Sequence, residues 1–168
     1  MVSGLLVAPS GSRVPGGDPL DYLARKARNR LGNPAASHDY GYALLKAGQV
    51  GEALPWLTRA AELDQYNTAY HTNLAAALHQ AGQWALGLYH ANRAYEFDLS
   101  NAILAANVGS FHYWLGETTE AAEWYEKAIA HLNDDRFFVV MTGDSRDKKG
   151  AYYCSEAETE LFFKERGL

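Results

Sequence analysis

Residues 68–101 read TAYHTNLAAALHQAGQWALGLYHANRAYEFDLSN, and the residues on either side follow the same plan at a constant offset. Gly48, Gly82 and Gly116 are 34 apart, and so are Ala60, Ala94 and Ala128. The same step links Ala43, Ala77 and Phe111, and also Tyr40, Leu74 and Val108. A period of this length marks an array of helical hairpins, in which each unit buries its apolar face only against its neighbours. It divides the chain into units at 34–67, 68–101 and 102–135.

Each unit breaks at its glycine: Lys46-Ala47-Gly48-Gln49, Gln80-Ala81-Gly82-Gln83 and Trp114-Leu115-Gly116-Glu117. Glycine ends a helix with a left-handed turn at no Cβ penalty. The halves are short for isolated helices, so packing must stabilise them. Ala60, Ala94 and Ala128 fall in the second halves, where a small side chain permits close helix approach.

Outside the three units the pattern changes. Residues 1–17 are rich in proline and glycine, with little to bury, and read as a flexible tail or as an arm that orders on a partner. Asp18-Pro19 opens a helix, a carboxylate cap followed by proline in the first turn, and Gly32 closes it. Leu20, Leu23, Ala24, Ala27 and Leu31 share one face, so 18–32 is expected to cap the array. Arg25, Lys26, Arg28 and Arg30 lie mostly off that face, as a solvated cap surface or as an anion or membrane site. Beyond Asp135, Arg136 to Thr142 is readable as helix or strand. Ser155-Glu156-Ala157-Glu158 is a capping box that opens a terminal helix. Residues 136–166 are therefore expected to form a degenerate fourth repeat and C-terminal capping helix, with Leu161, Phe162 and Phe163 buried.

Composition narrows the function. A chain of 168 residues with 48% hydrophobic content can bury a core. Its net charge of −5 lacks the basic footprint that nucleic-acid binding requires. Cys154 is the only cysteine, so no internal disulfide forms. No apolar run approaches the ~20 residues that span a bilayer. Leu5-Leu6-Val7-Ala8 is too short for a signal peptide. These features point to the cytoplasm, with no membrane or nucleic-acid partner. None of the six histidines is paired at i and i+4, the spacing a metal site on one helix wants, which leaves only a site assembled between units. No phosphate-cradling glycine loop or catalytic constellation is present. The expectation is no enzyme, no metal and no cofactor.

With the period laid out, the units resemble the tetratricopeptide repeat family. The resemblance rests on Gly48-Gln49-Val50-Gly51-Glu52-Ala53 with Ala60, and on Gly116-Glu117-Thr118-Thr119-Glu120-Ala121 with Tyr125 and Ala128. Leu63-Asp64 and Phe97-Asp98 match the unit ending. The chain departs from the family pattern at Ser37, His71 and Ala105, where tryptophan is usual, and at Gln65, Leu99 and Asn133, where proline is usual. The middle unit carries Gly87 and Ala91 where alanine and a large aromatic are usual.

The resemblance implies an all-α, right-handed superhelical array of antiparallel helix pairs, a solenoid with a groove lined by the first helices. It places His38, Tyr42, Asn73, His79, Gln80, Asn107, Tyr113 and Trp114 on that groove as the candidate partner-binding residues. Asn73 and Asn107 recur in register. Their amides either meet the backbone of an extended peptide or tie adjacent helices together. A known use of the fold clamps a C-terminal carboxylate. That clamp would need basic residues at His38, Ile103 and Asn107 and asparagine at Tyr42 and Asn73, and only Asn73 complies. The expected function is a non-enzymatic protein–protein interaction scaffold that binds a peptide or partner segment. The alternatives are a homo-oligomeric module, suggested by Leu161-Phe162-Phe163, and a small secretion-type chaperone of similar size.

Overall fold

The computed structural model describes residues 18–132, which contain seven α-helices and no strand. The fold is an all-α helical repeat. The readings of residues 1–17 and of 136–166, including the helix-or-strand choice after Asp135, lie outside the described residues.

The helices are α1 (Pro19–Asn29), α2 (Pro34–Lys46), α3 (Val50–Leu63), α4 (Thr68–Gln80), α5 (Trp84–Glu96), α6 (Ala102–Trp114) and α7 (Thr118–Leu132). They fall in two compact units, one ending at Phe97 and the other beginning at Asp98. In the first, α2 packs on α3 and α4 on α5, α1 lies on α2, and α4 also meets α3 and α2. In the second, α6 packs on α7.

Local chemistry sets the helix ends. Gly48, Gly82 and Gly116 have φ of 76°, 70° and 81°, the left-handed region where a side chain is strained. After each glycine the chain folds back: Gln49, Gln83 and Glu117 donate their amides to the carbonyls of Leu44, Leu78 and His112, each at 2.9 Å. This closes carbonyls the helix would otherwise leave open. The starts are also periodic. Asn33, Asn67 and Asn101 cap α2, α4 and α6, each accepting from amides of the first turn. Asp64 and Asp98 hold two of these caps by accepting from the Asn67 and Asn101 amide groups. Asp18 accepts from Leu20 and caps α1, as its position before proline suggests.

The core is assembled from small residues set against large ones. Ala60, Ala94 and Ala128 are all buried. A Cβ on Gly41 would lie 2.9 Å from Leu57 Cγ and 3.0 Å from Leu57 N, so glycine lets α2 and α3 touch. The equivalent pair in the second unit is Gly109 against Tyr125, with 3.1 Å to the ring. One repeat step from each stand Ala75 and Ala91, both buried. Where one helix carries Leu57 or Tyr125, its partner carries glycine; where it shrinks to Ala91, its partner grows to Ala75. The small side chain of Ala91 is therefore matched in volume rather than left as a gap.

Candidate functional site

The surface that α2 and α4 share carries the candidate residues of the first compact unit. His38 and Asp39 are consecutive on α2, both buried, and Tyr42 lies one turn further on, half-buried. Across from them α4 supplies half-buried Tyr70 and fully buried Asn73. The amide nitrogen of Asn73 is 2.7 Å from His38 Nε2. Asp39 Oδ1 is 3.8 Å from His38 Nδ1, and its other oxygen takes the Lys26 ammonium of α1 at 2.8 Å.

These contacts assign the protons. Burial holds His38 below its usual basicity, although neighbouring Asp39 opposes that effect. A neutral ring with its proton on Nδ1, towards Asp39, presents Nε2 as an acceptor for the Asn73 amide. The Asn73 Oδ1 and Ser37 Oγ atoms are buried with no hydrogen-bond partner among the described residues. Asn73 is thus not displayed at the surface; it ties α4 to α2, the second of the two roles open to it from the sequence.

The His38 ring lies between the two tyrosines in reach, 4.8 Å from Tyr70 and 6.0 Å from Tyr42, tilted by 38° and 31°. Burial raises the pKa of both tyrosine hydroxyls, and at Tyr70 the carboxylates of Asp64 and Asp39 add to the effect. Tyr70 is absent from the sequence-derived set. Nothing local in the sequence marks it, because its place beside His38 depends on α2 and α4 meeting. Further along α4, His79 is half-buried and Gln80 exposed. The remaining candidates belong to the second compact unit. On α6, Asn107 is buried, and Tyr113 and Trp114 are half-buried, edge-to-face at 6.3 Å.

A second cluster joins α3, α4 and α5. An open cavity of about 240 Å³ is lined by residues that include Glu62, Gln65, His71, Tyr89, His90 and Arg93. The Nδ1 atoms of His71 and His90 are 3.0 Å apart while the ring centres are 5.2 Å apart, so the two nitrogens meet head-on. His71 Nε2 lies 3.0 Å from the Gln65 carbonyl and must donate to it. His71 Nδ1 is then an acceptor, and His90 Nδ1–H donates to it. In that bond the His71 Nδ1 lone pair is the acceptor and His90 Nδ1 carries the proton, so neither of the two facing nitrogens is open to a metal. Among the described residues no three His, Cys, Asp or Glu side chains gather as a metal site, and no helix is long and apolar enough to cross a membrane.

The structure is similar to solved tetratricopeptide-repeat proteins. YrrB, described as a TPR protein with an unusual peptide-binding site, matches over 70% of this chain and 60% of its own, at 26% identity and a TM-score of 0.65. The MSR-1 MamA protein matches over 67% of this chain and 64% of its own, at 18% identity and a TM-score of 0.62. This chain therefore spans less than two thirds of either. No protein-family profile and no curated relative matches it.

Proposed function

Because the chain is a tetratricopeptide-repeat protein by fold and by repeat sequence, we propose that it is a non-enzymatic interaction scaffold whose α2–α4 face takes a peptide or partner segment. One observation carries this reading. Tyr42 and Tyr70 stand half-buried on facing helices, backed by the buried His38–Asn73 link. Aromatic rings held in place bind with little loss of side-chain freedom, and such residues dominate partner recognition. His79 and Gln80 extend the surface along α4. In the second compact unit, taken by itself, half-buried Tyr113 and Trp114 of α6 are proposed as partner-binding residues, while Asn107 is buried like Asn73. Asn73 acts here by fixing His38 rather than by touching the partner. A cytoplasmic location is part of this proposal. The peptide-binding site named for YrrB supports the class of partner.

The test compares capture of host proteins by the unaltered chain with capture by Tyr42→Ser and by Tyr89→Ser, a change on exposed α5 surface. Circular dichroism confirms that both variants fold. A partner lost with Tyr42→Ser and kept with Tyr89→Ser supports the α2–α4 face. A partner retained equally by both removes it.

A further inference from the structure

The cavity between α3, α4 and α5 takes no part in the α2–α4 face. Its volume of about 240 Å³ falls short of the ~300–1,000 Å³ of sites for drug-sized ligands. A dry cavity of about 150 Å³ accepts one benzene ring, so there is room here for a single small ring system. Ala61 and Thr58 of α3 line it with methyl groups, and His90 of α5 lines it with its ring.

The hydrogen bonds beside the cavity fix what His90 offers. His71 Nε2–H donates to the Gln65 carbonyl, and His90 Nδ1–H donates to His71 Nδ1. A neutral imidazole carries one ring proton, so His90 Nε2 is left with a lone pair. That nitrogen diverges from the bond to His71 and has no hydrogen-bond partner among the described residues. The relay runs from the turn before α4, through α4, to α5, so the acceptor is held in place before any ligand arrives. We propose that this cavity binds a small, neutral aromatic molecule with one N–H or O–H donor, such as an indole or a phenol, and that His90 Nε2 accepts from that donor.

The charges around the cavity disfavour an ion. An anion would meet the His90 lone pair and the exposed carboxylate of Glu62. Arg93 does not offset this, because its guanidinium is paired with Glu96 and lies over the Phe97 ring at 5.1 Å. A cation would meet the Arg93 charge, which, after burial as the main cause, helps to keep both histidines neutral. A neutral donor meets neither obstacle, and the proposal stands whether or not the α2–α4 face takes a peptide.

The probes are indole, N-methylindole, indole-3-acetate and N-acetyltryptophanamide, titrated into the full chain and followed by NMR. N-methylindole keeps the ring and loses the donor. Indole is expected to move the backbone signals of α3 and α5 around Thr58 and His90 and the His90 ring nitrogen signals. N-methylindole should bind about five-fold more weakly, the scale of one neutral hydrogen bond. Indole-3-acetate and N-acetyltryptophanamide should also bind more weakly than indole. His90→Phe keeps a ring and removes the acceptor, so it should erase the difference between indole and N-methylindole. Thr58→Leu fills the cavity, leaves the histidine relay in place, and should weaken both ligands.

Equal binding of indole and N-methylindole to the parent would overturn the role of His90. Indole shifts that persist unchanged in Thr58→Leu, or an absence of shifts in α3 and α5, would overturn the site. Tighter binding of indole-3-acetate than of indole would assign the cavity to an anion held by Arg93. Tighter binding of N-acetyltryptophanamide would assign it to a side chain of a protein partner. Either result overturns the proposal.

Discussion

The amide nitrogen of Asn73 lies 2.7 Å from Nε2 of His38, and the two residues are 35 apart in the chain. This bond joins the first helices of consecutive repeats, and one of its members stands directly beneath the tyrosines of the candidate site. In the proposed reading of this face, stability and recognition are linked through one buried pair.

Truncating Asn73 removes the partner of a buried imidazole nitrogen. Asn73→Ala is expected to destabilise the chain by about 1–3 kcal/mol, the usual penalty for orphaning a buried polar group. Urea unfolding followed by circular dichroism measures it. An unchanged midpoint would show that His38 finds another partner.

Gly41 and Gly51 should respond in opposite directions. Gly41→Ala places a methyl group against the Leu57 backbone and is expected to cost about 1–3 kcal/mol. Gly51 lies in the first turn of α3, where an added Cβ would meet nothing within 4 Å, so Gly51→Ala should stabilise by up to about 0.5–1 kcal/mol. Thermal melts of the two variants should bracket that of the parent.

The volume match between Ala75 and Ala91 predicts compensation. Ala91→Leu alone should overpack the α4–α5 joint at about 1–3 kcal/mol. Adding Ala75→Gly recreates the Gly41–Leu57 arrangement and should restore much of the loss. A double-mutant cycle reads the coupling directly, and simple additivity would disprove the match.

Acid should weaken the chain through the His71–His90 pair. Burial, first, and then His71 and Arg93 push His90 down from its ordinary 6.5 to about 4. Between these values the unfolded chain binds more protons than the folded one, so stability rises with pH. The contribution is complete above about pH 6.5, falls as the pH drops towards 4, and changes no further below. Burial lowers His38, His71 and His79 too, and they act in the same direction. Urea midpoints at pH 5 and 7.5 should differ less in His90→Asn than in the parent. A variant with the parent's full pH slope would assign the effect elsewhere.

Much of the fold was legible in the residue order because its determinants are local and repeat. A left-handed turn requires glycine, and Gly48, Gly82 and Gly116 announce three hairpins without any knowledge of packing. The asparagine caps at Asn33, Asn67 and Asn101 obey the same step, and their signal is as regular. The site was less legible. The period picked out Asn73 as notable but left open whether its amide met a ligand or a neighbouring helix. Tyr70 carried no signal, since its place beside His38 depends on two segments meeting.

What the sequence by itself determined is the set of helices and their pairing into repeats, because caps, turns and small-residue spacing act over a few residues. What only the tertiary structure decided is which side chains are sealed and which are left at the surface. Asn73 is buried and Tyr70 half-buried three residues away. That choice is made by how closely α4 approaches α2, a distance that no local pattern encodes.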